Sequence, residues 1–235
     1  ALKKAGNFTL AANSVTQKNL NRYFQVKSKL FIPVASEKRI DFNKKNKRLN
    51  KQINLFWGGL HIPRKSLNIG LDALSKLPKN IDWKLHITGK GKMTSKWKQI
   101  SIKKNIDKKC NFYGYLKNKE DLPKIMRKCD IHLFTSIKED TPAIIMETMT
   151  LGLPTICFDL YGAKDLVNNK RGIKVIPSTH NEKNIINFKN AILRLIKSDK
   201  KRHLLANNCL TFAKHNSWDK RITQLNLYYR KLNER

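Results

Sequence analysis

Residues 139–154 read EDTPAIIMETMTLGLP, and this stretch predicts a loop, a helix and the approach to a strand. Thr141 is a suitable N-cap, and Pro142 fits the first helical position, where its missing N–H costs nothing. The residues from Ala143 to Thr150 would form the helix, and Gly152 suits its end. We therefore expect one helix followed by one buried strand, the repeating unit of an α/β fold.

Two carboxylates occupy fixed places on this unit. Glu139 lies in the loop just before the helix, and Glu147 lies further along the helix. A helix N-terminus offers free backbone N–H groups and partial positive charge, which suit an anion such as a phosphate. A nearby carboxylate can accept two hydroxyl hydrogen bonds, as a sugar diol would supply. The combination suggests a sugar–phosphate site.

The rest of the chain repeats this alternation of strand and helix. Apolar runs predict strands at 53–57, 83–88, 111–113, 131–134, 155–158 and 172–176. Helical spacing predicts helices that begin at Ser66 or span 93–105, 122–128, 165–168, 183–196 and 200–214. The pattern implies an α/β fold with a Rossmann-like parallel sheet and helices on both faces. Ligands bind beyond the carboxyl ends of the strands in such sheets, where the loops at Gly58, Gly89 and Gly114 fall.

We predict four parts along the chain. Residues 1–33 read as a strand–helix–strand unit that is too small to stand alone, with Ser14 as its helix cap. A polar linker at 34–50 precedes the regular α/β domain at 51–214. Residues 215–235 form a last helix, capped by Ser217, with an apolar stripe that needs a partner. The first residue is Ala1 and no signal-like segment follows, so we expect upstream sequence to be missing.

The chain is strongly basic, with a formal net charge of +32 from 49 basic and 17 acidic residues. Such an excess is compatible with nucleic acid or with an anionic membrane surface. Lys is spread through nearly every segment, however, and only 11 of the basic residues are Arg, the better bidentate ligand for phosphate. We interpret the charge as composition with a general attraction to anions. A dedicated nucleic-acid surface is disfavoured, and peripheral contact with an anionic membrane stays open.

Other composition signals concern the cysteines, aromatic residues and histidines. The four cysteines lack Cys-x-x-Cys pairing and are expected to be buried thiols in a reducing, cytoplasmic setting. Neither a zinc-like His/Cys spacing nor an Asp-x-Asp occurs, so we expect no metal. We expect Trp57, Trp83 and Trp97 in the core. His132 is also expected there, with its ring nitrogens hydrogen-bonded, and His61 and His86 are expected to have structural roles. No apolar run is long enough to span a bilayer.

The motifs now resemble a known family. The E-x7-E spacing of Glu139 and Glu147, followed by MTLGLP, resembles the E-A-M-A-x-G-x-P signature of retaining glycosyltransferases of family 4, which have the GT-B fold. Four further stretches resemble this family in order: FWGGL…RK at 56–65, LHITGKG at 85–91, FYGY at 112–115 and the Asp/Gly/Asp series at 159–165. The last helix resembles the family's closing helix, which crosses back to the N-terminal domain. The resemblance covers essentially the whole chain.

The resemblance implies a role for each matching residue. Glu139 would contact the donor sugar, and Lys65 would neutralise the diphosphate; these two are the expected catalytic residues. Glu147 would bind the ribose hydroxyls, and the backbone near Tyr115 would contact the base. The remaining donor-binding residues are the loop glycines Gly58 and Gly59 and the backbone through Thr141, Pro142, Ala143 and Ile144.

The sequence also departs from the family pattern. Gly59 stands where the family has Arg, so Arg64, beside Lys65, is the candidate replacement. Ser66 follows Lys65 in place of Gly, and Tyr161 replaces the first glycine of a Gly-Gly pair. Asp165 replaces a Glu in the same motif. These changes affect the expected diphosphate clamp more than the fold.

By resemblance, the expected reaction is the metal-independent transfer of a sugar, with retention, from a nucleotide sugar to a glycan or lipid-linked acceptor. Residues 1–33 would be the end of the acceptor domain, and 51–214 the donor domain. No cofactor is expected besides the donor, and the chain alone is expected to be inactive because the cleft needs both halves. Two alternatives stay open: an epimerase or glycogen-synthase-like enzyme of the same fold, and a basic module for nucleic acid or acidic lipid.

Overall fold

A computed structural model describes residues 9–37 and 52–233, with side chains described as far as residue 230. The strands are β1 (Leu10–Ala11), β2 (Lys29–Leu30), β3 (Ile53–Gly58), β4 (Trp83–Thr88), β5 (Cys110–Gly114), β6 (Ile131–Phe134), β7 (Thr155–Phe158) and β8 (Gly172–Val175). The helices are α1 (Ser14–Phe24), α2 (Leu67–Ser75), α3 (Thr94–Lys103), α4 (Asp121–Arg127), α5 (Ala143–Thr150), α6 (Tyr161–Leu166), α7 (Asn181–Ile196), α8 (Asp199–His215) and α9 (Trp218–Asn233). The predicted α/β fold is confirmed.

Six parallel strands form one sheet in the order β5-β4-β3-β6-β7-β8. The chain therefore starts at β3, winds outward to β5, and returns to the other side of β3 to continue outward from β6. The carboxyl ends of β3 and β6 meet where this direction reverses. Such a topological switch point leaves a crevice between the two loops, and it is the usual ligand site of open α/β sheets.

Apolar side chains fill the space between the sheet and the helices on its faces. Trp57, Trp83 and Trp97 are buried there, as predicted. All four cysteines, which are Cys110, Cys129, Cys157 and Cys209, are free and buried, which confirms that part of the expectation. Among the described residues, no helix is both long and apolar enough to cross a membrane.

Two predicted helix caps are wrong. Pro142, not Thr141, is the N-cap of α5, since Pro142 has extended backbone angles and no side chain caps the helix. Asn13, not Ser14, caps α1, and its Oδ1 accepts from the Thr16 N–H at 2.8 Å. In both cases the loop before the helix is fixed by contacts with distant residues, which local sequence preference does not contain.

Ser14 has a different partner, which ties the first unit to the main sheet. Its N–H and Oγ donate to the two carboxylate oxygens of Asp165, each at 2.6 Å. Asp165 thus places a negative charge at the positive end of α1, which stabilises the contact. Asp165 lies in α6, which spans Tyr161–Leu166 and so begins earlier than the helix predicted at 165–168.

Smaller differences concern the predicted linker and one further cap. Ser66 lies at the N-cap of α2, but its hydroxyl donates to the Pro63 carbonyl and does not cap the helix. The start of the linker is packed: Ser36 is buried and forms a β-bridge with Ser217, the residue before α9. The rest of that linker, 38–50, lies outside the described residues. The apolar stripe on α9 remains exposed at Trp218, Ile222 and Tyr229.

Candidate functional site

The loops that follow β3 and β6 are joined by hydrogen bonds at the switch point. The Thr135 hydroxyl donates to the Lys65 carbonyl at 2.7 Å, and the Ile137 N–H donates to the Arg64 carbonyl at 2.9 Å. The same Thr135 hydroxyl oxygen accepts from the Trp57 indole N–H at 3.0 Å. These bonds anchor the backbone of the Arg64–Lys65 pair to the core of the sheet.

Two predicted site residues, Arg64 and Lys65, converge here on one carboxylate oxygen of a third, Glu139. The Lys65 ammonium lies 2.8 Å from Oε1 of Glu139, and the Arg64 guanidinium forms an ion pair with the same oxygen. The Lys65 and Glu139 side chains are only 12% and 16% exposed, whereas Arg64 is 45% exposed. Two cations face one anion, so the cluster keeps a surplus positive charge. Arg64, the predicted replacement for the Arg that is absent at position 59, therefore lies in this cluster.

A cleft of about 440 Å³ opens beside this cluster. Its lining residues are Arg64, Lys138, Glu139, Asp140 and Thr141. The first turn of α5 follows directly, and the N–H groups at the start of a helix have no acceptor within the helix. Ala143 and Ile144 contribute such groups, together with the positive end of the helix dipole. The cleft lining therefore combines two cations, Arg64 and Lys138, with two carboxylates, Glu139 and Asp140, beside the free N–H groups at the start of α5.

A second cleft, of about 700 Å³, lies at the ends of β3, β4 and β5. Its lining residues are Gly59, Leu60, Gly89, Lys90, Gly91, Thr94 and Tyr115. The Lys90 ammonium lies 5.6 Å from the centre of the exposed Tyr115 ring. An aromatic and aliphatic wall of this kind suits a planar heterocycle. A Cβ placed on Gly59 would lie 3.5 Å from the Lys65 ammonium, so the Lys65 side chain passes close to one edge of the second cleft.

The structure does not bring every predicted residue to these clefts. Gly58 is buried at the end of β3, with its Cα facing the Phe56 ring. Glu147 lies on the exposed face of α5 and, among the described residues, is outside those that line the two clefts. Enough protein surrounds its carboxyl to desolvate it partly, and this effect, followed by the charge of Glu37, raises the pKa of Glu147.

Two supporting residues were given no role in the site from the sequence: Gly162, which was noted only as part of the series at 159–165, and Asn13. The Gly162 N–H donates to the Glu139 carbonyl at 3.0 Å, and a Cβ on Gly162 would lie 2.0 Å from the Asp140 carbonyl oxygen. On the other side, the Asn13 amide donates to that Asp140 oxygen at 3.3 Å. The backbone that carries Glu139 is thus held between α1 and α6. Asn before a helix is a recognisable cap signal, but a contact across 127 residues leaves no local trace.

His132 lies beneath α5 and is completely buried. Its Nδ1 lies 3.0 Å from the Thr148 hydroxyl and 3.2 Å from the Thr155 hydroxyl. Its Nε2 is buried without a hydrogen-bond partner, so the prediction of a core residue is confirmed and that of a satisfied one is wrong. Burial, and secondly the charge of Lys65, lower the pKa of His132 to about 3.

His132 gives the stability a specific pH dependence. The unfolded imidazole has a pKa of 6.5 and the folded one about 3, so between these values the unfolded chain binds a proton that the folded chain lacks. This contribution is fully present above pH 6.5 and is lost as the pH falls through the window. Between pH 7 and 5 we expect His132 to remove about 2 kcal/mol from the free energy of unfolding. Urea titrations of the parent and of His132→Gln measure it.

The control for this prediction is His203→Gln, at an exposed position on α8. Carboxylates elsewhere also respond to acid, so the relevant quantity is the difference between each variant and the parent. His132→Gln should show a shallower loss of stability from pH 7 to 5, and His203→Gln should follow the parent. Equal slopes for the parent and His132→Gln would contradict the assignment.

Metal-binding geometry is not evident in this region. Within residues 9–37 and 52–233, no group of three or more His, Cys, Asp or Glu side chains is arranged to hold a metal ion. The positive charge at the site is instead carried by Arg64, Lys65 and the start of α5.

Comparison with known proteins places this geometry in a family context. Residues 37–210 match the sequence model of the family described as "Glycosyl transferases group 1". The chain is 26% identical over 239 residues to a protein of Methanocaldococcus jannaschii named "Uncharacterized glycosyltransferase MJ1178". This match covers 94% of the chain but 65% of that relative, so the chain spans less than two thirds of the curated protein it matches.

Solved structures share the fold. The pneumococcal O-GlcNAc transferase GtfA, solved in complex with UDP and GlcNAc, superposes with a TM-score of 0.79 at 16% identity, covering 97% of this chain and 46% of that one. Anabaena Alr3699/HepE, solved in complex with UDP-glucose, gives 0.76 at 19% identity, covering 97% and 65%. At such identities the similarity shows the fold, and the site has to be argued from its own residues.

Proposed function

The chain belongs to the family of group 1 glycosyl transferases, and on that basis we propose that it binds the donor of a sugar-transfer reaction. The donor is a nucleoside-diphosphate sugar, and the acceptor is a glycan or a lipid-linked glycan. The observation that carries the proposal is the convergence of Arg64 and Lys65 on Glu139 beside the start of α5. This is the charge pattern that a diphosphate next to a sugar requires.

The chemistry follows from where charge develops. When the bond between the anomeric carbon and the diphosphate oxygen breaks, its electron pair stays on the diphosphate. Fixed cations and backbone N–H groups stabilise this charge best when they are already in place. Lys65, Arg64 and the backbone from Thr141 to Ile144 would hold the diphosphate. We propose that this set performs the task without a metal and, from the family 4 resemblance, that the transfer proceeds with retention.

The carboxylates and the second cleft complete the assignment. Glu139 is pulled towards the cations and would accept hydrogen bonds from sugar hydroxyls at the first cleft. The second cleft would take the base against Tyr115. From the family resemblance, we propose that Glu147 accepts hydrogen bonds from the ribose hydroxyls, although it lies outside the lining of the two clefts. Such donors would favour the ionised carboxylate and so oppose the burial that raises the pKa of Glu147. UDP is the first probe because the similar structures hold UDP and UDP-glucose.

Calorimetric titration of the folded chain with UDP and GDP tests the proposal. We expect one of the two to bind at about 0.15 M salt, and more tightly than inorganic pyrophosphate, because pyrophosphate has no base for the second cleft. Binding should survive higher salt, since base contacts are not screened. The proposal fails if the folded chain binds neither nucleotide. Affinity equal to that of pyrophosphate, falling steeply with salt, would indicate a basic anion-binding module instead.

A further inference from the structure

His61 lies behind the second cleft, in the loop that follows β3. It is 1% exposed and is enclosed by aromatic rings. The imidazole centre lies 5.5 Å from the Trp57 ring, 5.0 Å from the Trp97 ring and 6.4 Å from the Phe112 ring. The side chain therefore cannot touch a bound molecule directly. Any effect on the cleft has to pass through the backbone that it holds.

Every polar group of His61 bonds to residues 88–94, which run from the last residue of β4 to the first residue of α3. The ring Nδ1 lies 2.8 Å from the Thr94 hydroxyl, and Nε2 faces the Thr88 carbonyl at 3.4 Å. Its backbone N–H donates to the Lys90 carbonyl at 3.1 Å, and its carbonyl accepts from the Met93 N–H at 2.9 Å. In the tautomer with Nε2 donating to the Thr88 carbonyl, Nδ1 accepts from the Thr94 hydroxyl, whose one proton is shared with the Gly91 carbonyl at 2.8 Å. Burial keeps the imidazole neutral because it lowers the pKa of His61.

The two loops joined in this way form most of the second cleft. One supplies Gly59 and Leu60, and the other supplies Gly89, Lys90, Gly91 and Thr94. They approach so closely that a Cβ on Gly91 would lie 2.6 Å from the His61 carbonyl oxygen. The Thr94 hydroxyl oxygen also accepts from the Gly91 N–H at 3.0 Å, so the ring contact with Thr94 acts on the turn itself.

We propose that His61 is a positioning residue that fixes the width of the nucleotide cleft before the nucleotide arrives. The inference rests on the proposed function, because it gives this cleft the base of the donor. Glycine loops are intrinsically flexible, and ordering them on binding would weaken the affinity. The imidazole contributes a side-chain link between the loops that backbone bonds alone do not supply. Without this link, the two loops would be less ordered before binding, and part of the free energy of nucleotide binding would be used to order them.

The test compares His61→Phe with the parent chain. Phe keeps the aromatic packing and loses both ring contacts, so we expect the variant to fold. UDP or GDP affinity, whichever binds the parent, should fall about tenfold, since a buried hydrogen bond contributes about this factor. Amide exchange within residues 89–94 should quicken by a similar factor, while exchange in β6 and β7 should stay at the parent rate.

His86→Phe is the matched control. His86 is also a buried histidine, but it lies within β4, with ring nitrogens 2.8 Å from the Tyr113 hydroxyl and 3.1 Å from the Asn54 side-chain oxygen. Its loss should leave nucleotide affinity and the exchange of residues 89–94 unchanged. If His61→Phe fails to fold, Thr94→Val carries the test, because it removes the hydroxyl partner and should produce the same two changes.

The outcomes distinguish the positioning role of His61 from the proposed nucleotide binding. Parent-like affinity and parent-like exchange in His61→Phe would overturn the positioning role. If the parent binds neither UDP nor GDP, the proposed function fails, but the exchange comparison still decides whether His61 holds the loops together. Faster exchange in both His61→Phe and His86→Phe would also overturn the proposal, because it would indicate a general loss of packing.

Discussion

Replacing Lys65 by Met is expected to lower the affinity for the nucleoside diphosphate about 100-fold. The Lys65 ammonium is mostly buried, lies 2.8 Å from Glu139, and is close to Gly59 at the edge of the second cleft. A charged hydrogen bond in such a place contributes more than a solvent-exposed one, because little water competes with it. Its loss also leaves Glu139 with one cation fewer, so the approaching phosphate meets more negative charge. Calorimetric titration measures the change.

Lys76→Met is the control for this substitution. Lys76, which follows α2, forms an ion pair at 3.1 Å with Glu182 in α7, and both side chains are well exposed. Exposed pairs contribute little, and the overall charge of the two variants is identical. The control should therefore bind within about twofold of the parent. If Lys65→Met and Lys76→Met bound the nucleotide equally well, Lys65 would not be part of the diphosphate site.

Replacing Gly89 by Ala is expected to cost the most stability. The backbone of Gly89 has φ +105°, which side-chain-bearing residues rarely adopt, and a Cβ there would lie 1.9 Å from the Gly59 carbonyl oxygen. The clash involves backbone on both sides, so no side chain can rotate away from it. We expect the free energy of unfolding to fall by about 3 kcal/mol or more, and nucleotide binding to weaken as the two loops separate. Urea unfolding measures the first effect, and titration the second.

Gly114 provides a matched control for Gly89. It is the last residue of β5 in the same sheet and has φ +72°, but a Cβ there would meet no atom within 4 Å. Gly114→Ala therefore carries the conformational cost alone, about 1 kcal/mol. A similar loss in the two variants would show that the close approach of the Gly59 and Gly89 loops is not present in solution.

Much of the fold could be predicted from the sequence because the signals are local. Apolar runs that end in glycine mark the strands of a parallel sheet, and the E-x7-E spacing locates the α5 unit. What the sequence does not contain is the strand order. Only the sheet order places β6 beside β3, and that neighbourhood brings Glu139 to Arg64 and Lys65.

The errors have a common physical cause. Thr141 and Ser14 are reasonable caps by local preference, but tertiary contacts decide both helix starts. The Asp140 carbonyl is held by Asn13, and Ser14 is held by Asp165. His61 appeared structural, and the sequence could not show that its bonds connect two glycine loops. Nor could the sequence show that the Arg64 side chain points towards Glu139.

We propose that Arg64, Lys65, Glu139 and the start of α5 form a diphosphate site, and that the second cleft takes the base. An experimental structure of the chain with bound UDP or GDP tests it most directly. We predict that the diphosphate lies between the Lys65 ammonium and the backbone of Thr141 to Ile144, with the base beside Tyr115. A nucleotide bound elsewhere on the basic surface, with both clefts empty, would contradict this assignment of the site.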